Sequence, residues 1–385
     1  MQHREIDRRT LFRLAGTAGM LAVAAPALEA CTVADPGAGA DANGLVLPEG
    51  FTSRIIARAG DQIGSTQYRI FPDGAATFAD AAVPGGWYLA TNHEVPAGGG
   101  GVTSIRFAPD GTITDAREVL AGTSLNCAGG ATPWGTWLSC EEFDGGRVWE
   151  CDPTGARPAV VHEALGRWRH EAAAVATDGR VYLTEDFGTG AFYRFTPDTP
   201  GDLTVGLLEV ATGAEGGGPV TWGEVPEPAA ASTPCRSQVP DTMRFDGGEG
   251  IATDGTSVWF TTKGDNRVWH YSTTNSTVEV HYQAGRPSML SGVDNLWWDG
   301  TSGSLLVAED GDDLQVIALG AGNTVTEVAR VGNHPGSEIA GPTLSPDRTR
   351  LYFSSQRGPN AIGLPLGVTY EVTGPFDTLL GSTQR

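Results

Sequence analysis

The sequence predicts an all-β fold, and three observations support this prediction. Glycine accounts for 54 of the 385 residues and is spread over many short apolar runs, which indicates many tight turns. Six of these runs are rich in β-branched and aromatic residues, as strands are. The six runs also recur at a nearly constant spacing along the chain.

The six runs share a common ending. They are "GWYLATNHE" (86–94), "GTWLSCEE" (135–142), "RVYLTED" (180–186), "SVWFTTKGD" (257–265), "SLLVAED" (304–310) and "RLYFSSQ" (350–356). The first five end in a carboxylate and the sixth ends in Gln356. Equivalent residues, from Trp87 to Leu351, are separated by 50, 45, 76, 47 and 46 residues. Strand-rich repeats of about 45 residues are typical of β-propellers with about four strands per blade, so we predict a six-bladed β-propeller.

The one long interval contains a Gly/Pro-rich insert, residues 212–241, which we expect to form a surface excursion between blades. The propeller is predicted to span 45–385 as a single domain, preceded by a flexible tether at 32–44.

The first 31 residues are predicted to be a targeting segment. Arg8 and Arg9 precede a modest apolar stretch, which resembles a twin-arginine export signal. A plain Sec signal is the alternative. Cys31 ends the segment and is a candidate for lipidation, the only membrane attachment we expect, with simple cleavage as the other outcome. The mature protein is therefore expected in the periplasm, on the cell surface or outside the cell.

The formal net charge of −21 argues against nucleic acid as a partner. Such a charge often serves only solubility, and the alternative is that part of it binds cations. Equivalent strands of a propeller end on one face around a central channel, so the carboxylates that close the runs are expected to converge there. The predicted ring contains Glu94, Glu141 or Glu142, Glu185 or Asp186, Asp265, and Glu309 or Asp310. Hard cations such as Ca²⁺ would relieve the repulsion, whereas acids in solvated hairpin turns would never meet.

A second acidic set stands at equivalent positions of successive blades. Glu171 lies in "RHEAA", Glu249 in "GEGI" and Asp294 in "VDNL". His170, beside Glu171, is a candidate ligand, although a structural histidine is the more common case. The sequence contains no P-loop, no G-x-S-x-G and no H-E-x-x-H, which argues against P-loop nucleotide hydrolases, α/β-hydrolases and zincins.

Cys127 lies before a glycine-rich loop in "NCAGGATPWGTWLSCEE". A thiolate is a soft ligand suited to iron and other transition metals. The alternatives are a disulfide and a buried free thiol, because Cys127, Cys140, Cys151 and Cys235 form an even set. Cys140 and Cys151 are expected on neighbouring strands and could pair without Cys127.

Several segments together resemble the PhoX-type alkaline phosphatases over about residues 45–375. They are "TNHE", "NCAGGATPWGTWLSCEE", "RHEAA", "GEGI", "VDNL", "AEDG" and "GPTLSPDRTRLYFSSQRGPN", in this order. The resemblance implies a monomeric, exported six-bladed propeller that hydrolyses small phosphate esters with an iron (Fe³⁺) and Ca²⁺ cluster. It implies that Cys127 ligates iron and that the metal-binding carboxylates are Glu94, Glu142, Glu171, Glu249 and Asp294, to which the predicted ring adds Glu309. Asn92, Asn126 and Lys263 are the expected contacts to the substrate phosphate.

One position departs from the family pattern. The phosphatases have arginine two residues before the glutamate matched by Glu249, and this chain has Gly247. A guanidinium suits phosphate binding through paired hydrogen bonds, so its absence predicts altered activity unless Lys263, Arg267 or Arg357 replaces it. Two other functions stay open: a non-catalytic, metal-stabilised propeller that binds a partner or glycan, and a calcium-dependent lactonase-type hydrolase.

Overall fold

The computed structural model describes residues 39–283, 289–311 and 313–381. The predicted export signal at 1–31, with Cys31, lies outside these residues, as does the tether as far as residue 38. In the described part, no helix has the length and apolar character needed to cross a membrane. The helices there are α1 (Phe376–Leu380) and three single 3₁₀ turns at Glu163–Leu165, Cys235–Ser237 and Ala321–Asn323.

The protein is all-β, as predicted. Four short strands come first: β1 (Leu45–Val46), β2 (Thr52–Arg58), β3 (Gln62–Ile63) and β4 (Thr66–Gln67). Six antiparallel units then follow, in which consecutive strands pair with one another.

The first three units precede the insert. Unit 1 contains β5 (Pro72–Ala79), β6 (Trp87–His93), β7 (Gly100–Phe107) and β8 (Ile113–Thr123). Unit 2 contains β9 (Asn126–Ala131), β10 (Trp137–Gly146), β11 (Val148–Cys151) and β12 (Val160–Val161). Unit 3 contains β13 (Trp168–Val175), β14 (Val181–Glu185), β15 (Phe192–Thr199) and β16 (Asp202–Thr212).

The insert carries two short strands, β17 (Gly218–Pro219) and β18 (Thr221–Glu224), and lies between units 3 and 4 in the chain. Unit 4 contains β19 (Gly248–Thr253), β20 (Ser257–Thr262), β21 (Arg267–Ser272) and β22 (Thr277–Gln283). Unit 5 contains β23 (Val293–Asp299), β24 (Ser304–Glu309), β25 (Gln315–Gly320) and β26 (Thr324–Val331). Unit 6 contains β27 (Ile339–Leu344), β28 (Arg350–Ser355) and β29 (Val368–Thr373).

Strands from distant parts of the chain join the units. β2 pairs with β29 and supplies the fourth strand of unit 6, and β1 pairs with β26. β18 pairs with β16 and β17 with β22, so the insert extends the outer edges of units 3 and 4. Units 2 and 3 also join through β10 and β13.

The first strands of the six units contact one another in a ring. β5 lies against β9, β9 against β13, β13 against β19, β19 against β23, β23 against β27, and β27 against β5 again. Small residues allow this close approach. A Cβ atom on Gly74 of β5 would lie 2.6 Å from the Cα atom of Ala128 in β9.

The six runs predicted as strands are β6, β10, β14, β20, β24 and β28, the second strand of each unit. β6, β14 and β24 are buried along their whole length, and apolar residues between neighbouring units form the cores. Continuous apolar runs are expected for strands covered on both faces.

Each first strand carries a β-bulge where it pairs with the second strand. At that point two residues of the first strand oppose one residue of the second. The bulged pairs are Asp73–Gly74, Cys127–Ala128, Glu171–Ala172, Glu249–Gly250, Asp294–Asn295 and Gly341–Pro342. A bulge changes the direction of a side chain and is common beside functional sites.

Candidate metal centre

The bulges place one potential ligand in each of the first five units. Their first residues are Asp73, Cys127, Glu171, Glu249 and Asp294. In unit 6 the bulge is Gly341–Pro342, and the acid is Glu338, directly before β27. All six are buried.

The ends of the second strands supply further side chains to the same place. Glu94, Lys263, Asp310 and Gln356 directly follow the second strands of their units, and Glu142 lies within β10. All five come close to the potential ligands of the first strands. Because the first two strands of a unit are antiparallel, the start of one and the end of the other lie at the same edge.

The potential ligands form four overlapping groups of three, and in each group the ligand atoms lie within 4.8 Å of one another. The groups are Asp73–Glu94–Cys127, Cys127–Glu142–Glu171, Glu171–Glu249–Asp294 and Asp294–Asp310–Glu338. Consecutive groups share one residue, so eight carboxylates and one thiol make one continuous cluster. Carboxylates this close repel one another unless cations or protons intervene.

Glu171 shows most directly that a cation fits the cluster. Both of its Oε atoms are buried, and no hydrogen-bond donor reaches them from the residues that the structure describes. Burial, followed by the charges of Glu249 and Glu142, raises the pKa of Glu171 well above its ordinary range. A metal ion would supply the missing positive charge and would ligate these oxygens directly.

Cys127 adds the only sulfur to the cluster among the described residues. Its Sγ atom is 3.7 Å from Oδ2 of Asp73. Burial and then the charge of Asp73 raise the pKa of the Cys127 thiol well above its ordinary range. Metal binding requires the thiolate, so an ion here would replace the proton that the surroundings favour. A thiolate beside carboxylates suits a transition metal, and the all-oxygen groups suit calcium.

Two cations and one amide contact the carboxylates. Nζ of Lys263 lies 3.0 Å from Glu249, 3.2 Å from Asp310 and 3.3 Å from Asp294. The Arg357 guanidinium lies 3.3 Å from Glu338 and 3.8 Å from Glu94.

The Gln356 side-chain amide donates to Glu94 at 2.8 Å and also to Asp73. Arg267, the third candidate to replace an arginine at Gly247, pairs instead with Asp265 at 3.1 Å and lies over the Trp269 ring.

Several acids of the predicted ring lie outside the four groups. Glu141 pairs with Arg147 and accepts a hydrogen bond from the Ser124 backbone. Glu185 pairs with Arg236 of the insert and accepts a hydrogen bond from the Tyr193 hydroxyl at 2.9 Å.

Glu309, predicted to bind metal, lies outside the groups as well. It accepts a hydrogen bond from the Ser291 backbone at 2.7 Å, and burial raises its pKa to about 7. Its neighbour Asp310 belongs to the cluster. Successive side chains along a strand point to opposite faces. Only one of these two adjacent acids can therefore face the centre, and here it is Asp310.

Asn92 and Asn126 are buried close to Cys127, and their contacts position its strand. The Asn92 amide donates to the backbone carbonyls of Cys127 and Ala128, and its oxygen accepts from Trp137 and Ser139 at 2.8 Å each. Asn126 accepts from Thr123 and donates to Ser139. The role of both asparagines in contacting phosphate stays a prediction.

Cys127, Cys140, Cys151 and Cys235 are all free thiols. Cys140 and Cys151 lie on the neighbouring strands β10 and β11, but Cys140 opposes Val148 and Cys151 opposes Trp137. His170 stacks on Trp168 with ring centroids 3.9 Å apart and bonds the Gly166 carbonyl, which is the structural role.

Sequence reasoning missed Asp73 and Glu338. Asp73 had a usable signal, because "DGAA" follows the same pattern of one acid and then small residues as "EAAA" and "EGIA" at the starts of other first strands. The sequence signal for Glu338 was weaker, since the bulge of its unit contains no acid.

A narrow cavity of about 160 Å³ adjoins the cluster along the ring of first strands. Its lining consists mainly of small residues, including Ala75, Ala128, Ala174 and Gly341. None of the nine side chains of the cluster belongs to this lining, so the cluster lies at one end of the ring.

A profile of the family "alkaline phosphatase PhoX" matches residues 90–148 and 143–358. The fold is similar to that of Pseudomonas fluorescens PhoX in complex with vanadate, a transition-state analogue, with a TM-score of 0.72 and 18% identity over 86% of this chain and 96% of that chain. At such identity the likeness shows the fold alone.

Two proteins of unknown function have weaker likeness. The one from Dyadobacter fermentans has a TM-score of 0.50 and 11% identity, over 84% of this chain and 99% of that chain. The one from Bacteroides thetaiotaomicron has a TM-score of 0.51 and 8% identity, over 84% and 76%. A sequence search of curated proteins gives no match. Because the family profile spans well over half of the sequence, the chain belongs to the alkaline phosphatase PhoX family.

Proposed function

We propose that the protein is a metal-dependent phosphoric monoester hydrolase that acts on small phosphate esters outside the cytoplasmic membrane. The observation that carries the proposal is the continuous cluster of eight carboxylates and one thiol, in a chain of this phosphatase family. Hydrolysis of an anionic ester at an acidic site requires cations, and the cluster is built to hold them.

The proposed architecture is a six-bladed β-propeller in which each unit is one blade. The ring of contacts between first strands supports it. The pairing of β2 with β29 in unit 6 supports it further. A blade built from an early and a late strand would close the ring of blades.

The residues fit two kinds of metal. We propose that iron binds at Cys127 with the carboxylates around it, namely Asp73, Glu94, Glu142 and Glu171. Calcium is proposed at the all-oxygen group Glu171–Glu249–Asp294. When bound, such ions supply Lewis-acid polarisation of phosphate oxygens.

The side chains of this protein have distinct parts in the proposed reaction. Arg357 is 19% exposed and contacts Glu94 and Glu338. A guanidinium has five N–H donors, so Arg357 can bind a phosphate while it stays paired with Glu338. Gln356 holds the carboxylates of Asp73 and Glu94 in position through hydrogen bonds. Asn92 fixes the backbone of Cys127 and therefore the direction of its thiol.

The proposed location rests on Arg8 and Arg9 and the apolar stretch after them. A twin-arginine route exports folded proteins, which suits a chain that must acquire its metals first. Lipidation at Cys31 and the monomeric state stay expectations from the sequence.

Hydrolysis of an aryl phosphate by purified protein, before and after treatment with chelator, tests the proposal. We expect turnover that chelation abolishes and that added iron and calcium restore. A protein with full metal content that hydrolyses no phosphate ester would refute the enzymatic role and would favour the non-catalytic binding module.

A further inference from the structure

Lys263 has the surroundings of a bound cation. Its ammonium group lies 3.0 to 3.3 Å from three carboxylates, which belong to Glu249, Asp294 and Asp310. An ammonium has three hydrogen-bond donors, so each carboxylate can receive one. The Lys263 side chain is 25% exposed, and the Glu249 and Asp294 side chains are 2% and 6% exposed.

Every carboxylate of the last of the four groups contacts a side-chain cation. Lys263 contacts Asp294 and Asp310, and Arg357 contacts Glu338. The opposite situation holds at Glu171, whose oxygens meet no donor in the described part of the chain. The cluster therefore has one end that carries its own positive charge and a middle, at Glu171, that lacks it.

Backbone hydrogen bonds hold Lys263 where its side chain must be. Its N–H donates to the Gly247 carbonyl at 2.9 Å, at the start of unit 4. The turn after it is tied to unit 5, because the Asn266 side chain accepts from the Gly292 backbone at 2.6 Å, two residues before Asp294. The loop between β20 and β21 therefore positions the Lys263 ammonium against carboxylates of units 4 and 5.

We propose that Lys263 is a resident cation of the cluster. With Arg357 it brings two positive charges to Asp294–Asp310–Glu338 in place of a divalent ion, and metal ions bind only at the other three groups. A covalently attached ammonium cannot dissociate, so this end keeps its charge balance when metal is removed. The inference rests on the proposed metal centre and gives Lys263 a positioning role in place of the predicted contact with phosphate.

Metal analysis of the wild type and of Lys263→Met tests the inference. Loss of the ammonium leaves three adjacent carboxylates that suit calcium, so we expect the variant to contain one more calcium ion per chain. Arg267→Met is the matched control. Arg267 lies four residues after Lys263, at the start of β21, and pairs only with Asp265 among the acids that the structure describes. The metal content of Arg267→Met should equal that of the wild type.

A Lys263→Met variant with the wild-type metal content, or with less, would overturn the inference. If its only change were a higher KM for an aryl phosphate, Lys263 would contact substrate instead. The metal content of the wild type tests the proposed function without the variant. Failure of the proposed function and failure of this inference can therefore be distinguished.

Asp310→Asn provides a second test that needs no change at Lys263. Asp310 is 31% exposed, and its replacement changes only the outer edge of the cluster. We expect the number of metal ions per chain to stay the same, because Lys263 fills this group. Loss of one ion would overturn the inference.

Discussion

Replacing Glu171 by glutamine should change the stability of the protein in opposite directions with and without metal ions. In the metal-free protein the Glu171 carboxylate is buried, lacks a donor in the described part of the chain and has acidic neighbours. Leaving a buried charge uncompensated costs about 3–5 kcal/mol. A buried amide without partners costs about 1–3 kcal/mol. At alkaline pH, where the carboxyl is ionised, the variant should therefore gain about 2 kcal/mol in the absence of metal, or roughly 4 °C in Tm.

The pH dependence of this gain follows from the raised pKa of Glu171. The metal-free wild type has its full stability below the ordinary pKa of a glutamate and loses stability as the pH rises through the raised value. The difference between variant and wild type should therefore be small in acid and should increase toward alkaline pH.

The metal-bound protein should show the opposite sign. An ion present at 100 times its dissociation constant stabilises the folded state by about 2.7 kcal/mol, and Glu171→Gln removes a shared ligand of two groups. Thermal unfolding of wild type and variant, each with metals and after chelation, measures both effects.

Glu185→Gln is the matched control for this experiment. Glu185 is equally buried but is paired with Arg236 and lies outside the cluster, so its replacement should destabilise the protein under both conditions. A Glu171→Gln variant that is destabilised after chelation, as Glu185→Gln is, would refute the electrostatic reasoning.

Three further predictions concern single side chains. Cys127→Ser should lose its iron in elemental analysis, whereas Cys140→Ser, also buried but outside the cluster, should keep it; equal iron in both would refute ligation by Cys127. Glu309→Gln should keep its metals, and loss of metal would restore Glu309 as a ligand. Because burial raises the Glu309 pKa from 4.5 to about 7, the variant should be more stable than the wild type at pH 9 by about 3 kcal/mol. At pH 4 the two proteins should be equally stable. Gly74→Ala should lower stability by about 1–3 kcal/mol, since its Cβ would lie 2.6 Å from the Ala128 backbone, whereas Gly188→Ala, with 3.6 Å to its nearest neighbour, should fold normally; equal melting temperatures would contradict the close packing of β5 on β9.

The strand content was predictable because the six runs repeat the same chemistry at a regular interval. Each becomes the second strand of a unit, and burial on both faces explains why these runs are continuously apolar. The first strands are harder to recognise, because glycine and alanine at points of close approach make them look like loops. Gly74 and Gly130 illustrate this, since a Cβ at either would collide with the neighbouring strand.

The set of acids was only partly predictable. Glu94 and Glu142 could be named because they end equivalent runs of the repeat, and Glu171 because it matches Glu249 and Asp294 in other units. The structure brings all three acids close to Cys127. Of the adjacent acids Glu309 and Asp310, only Asp310 belongs to the four groups, and metal binding by Glu309 stays a prediction. Strand alternation decides such cases, and the sequence does not reveal its phase at the end of a strand.

The bulges explain why Asp73 escaped prediction. A two-residue bulge turns one side chain toward the centre, and in unit 1 it selects Asp73. The run "DGAA" shows an acid followed by small residues, but the direction of the Asp73 side chain depends on how the two strands pair. The contacts of Lys263 were equally hard to predict, because the three carboxylates around its ammonium come from two units.

The most direct test of a mixed thiolate and carboxylate metal centre is an anomalous difference map at the iron absorption edge from crystals of the purified protein. We predict a peak within bonding distance of Sγ of Cys127 and of a carboxylate oxygen of Glu171. A map without a peak there, from protein that hydrolyses phosphate esters, would contradict the central claim.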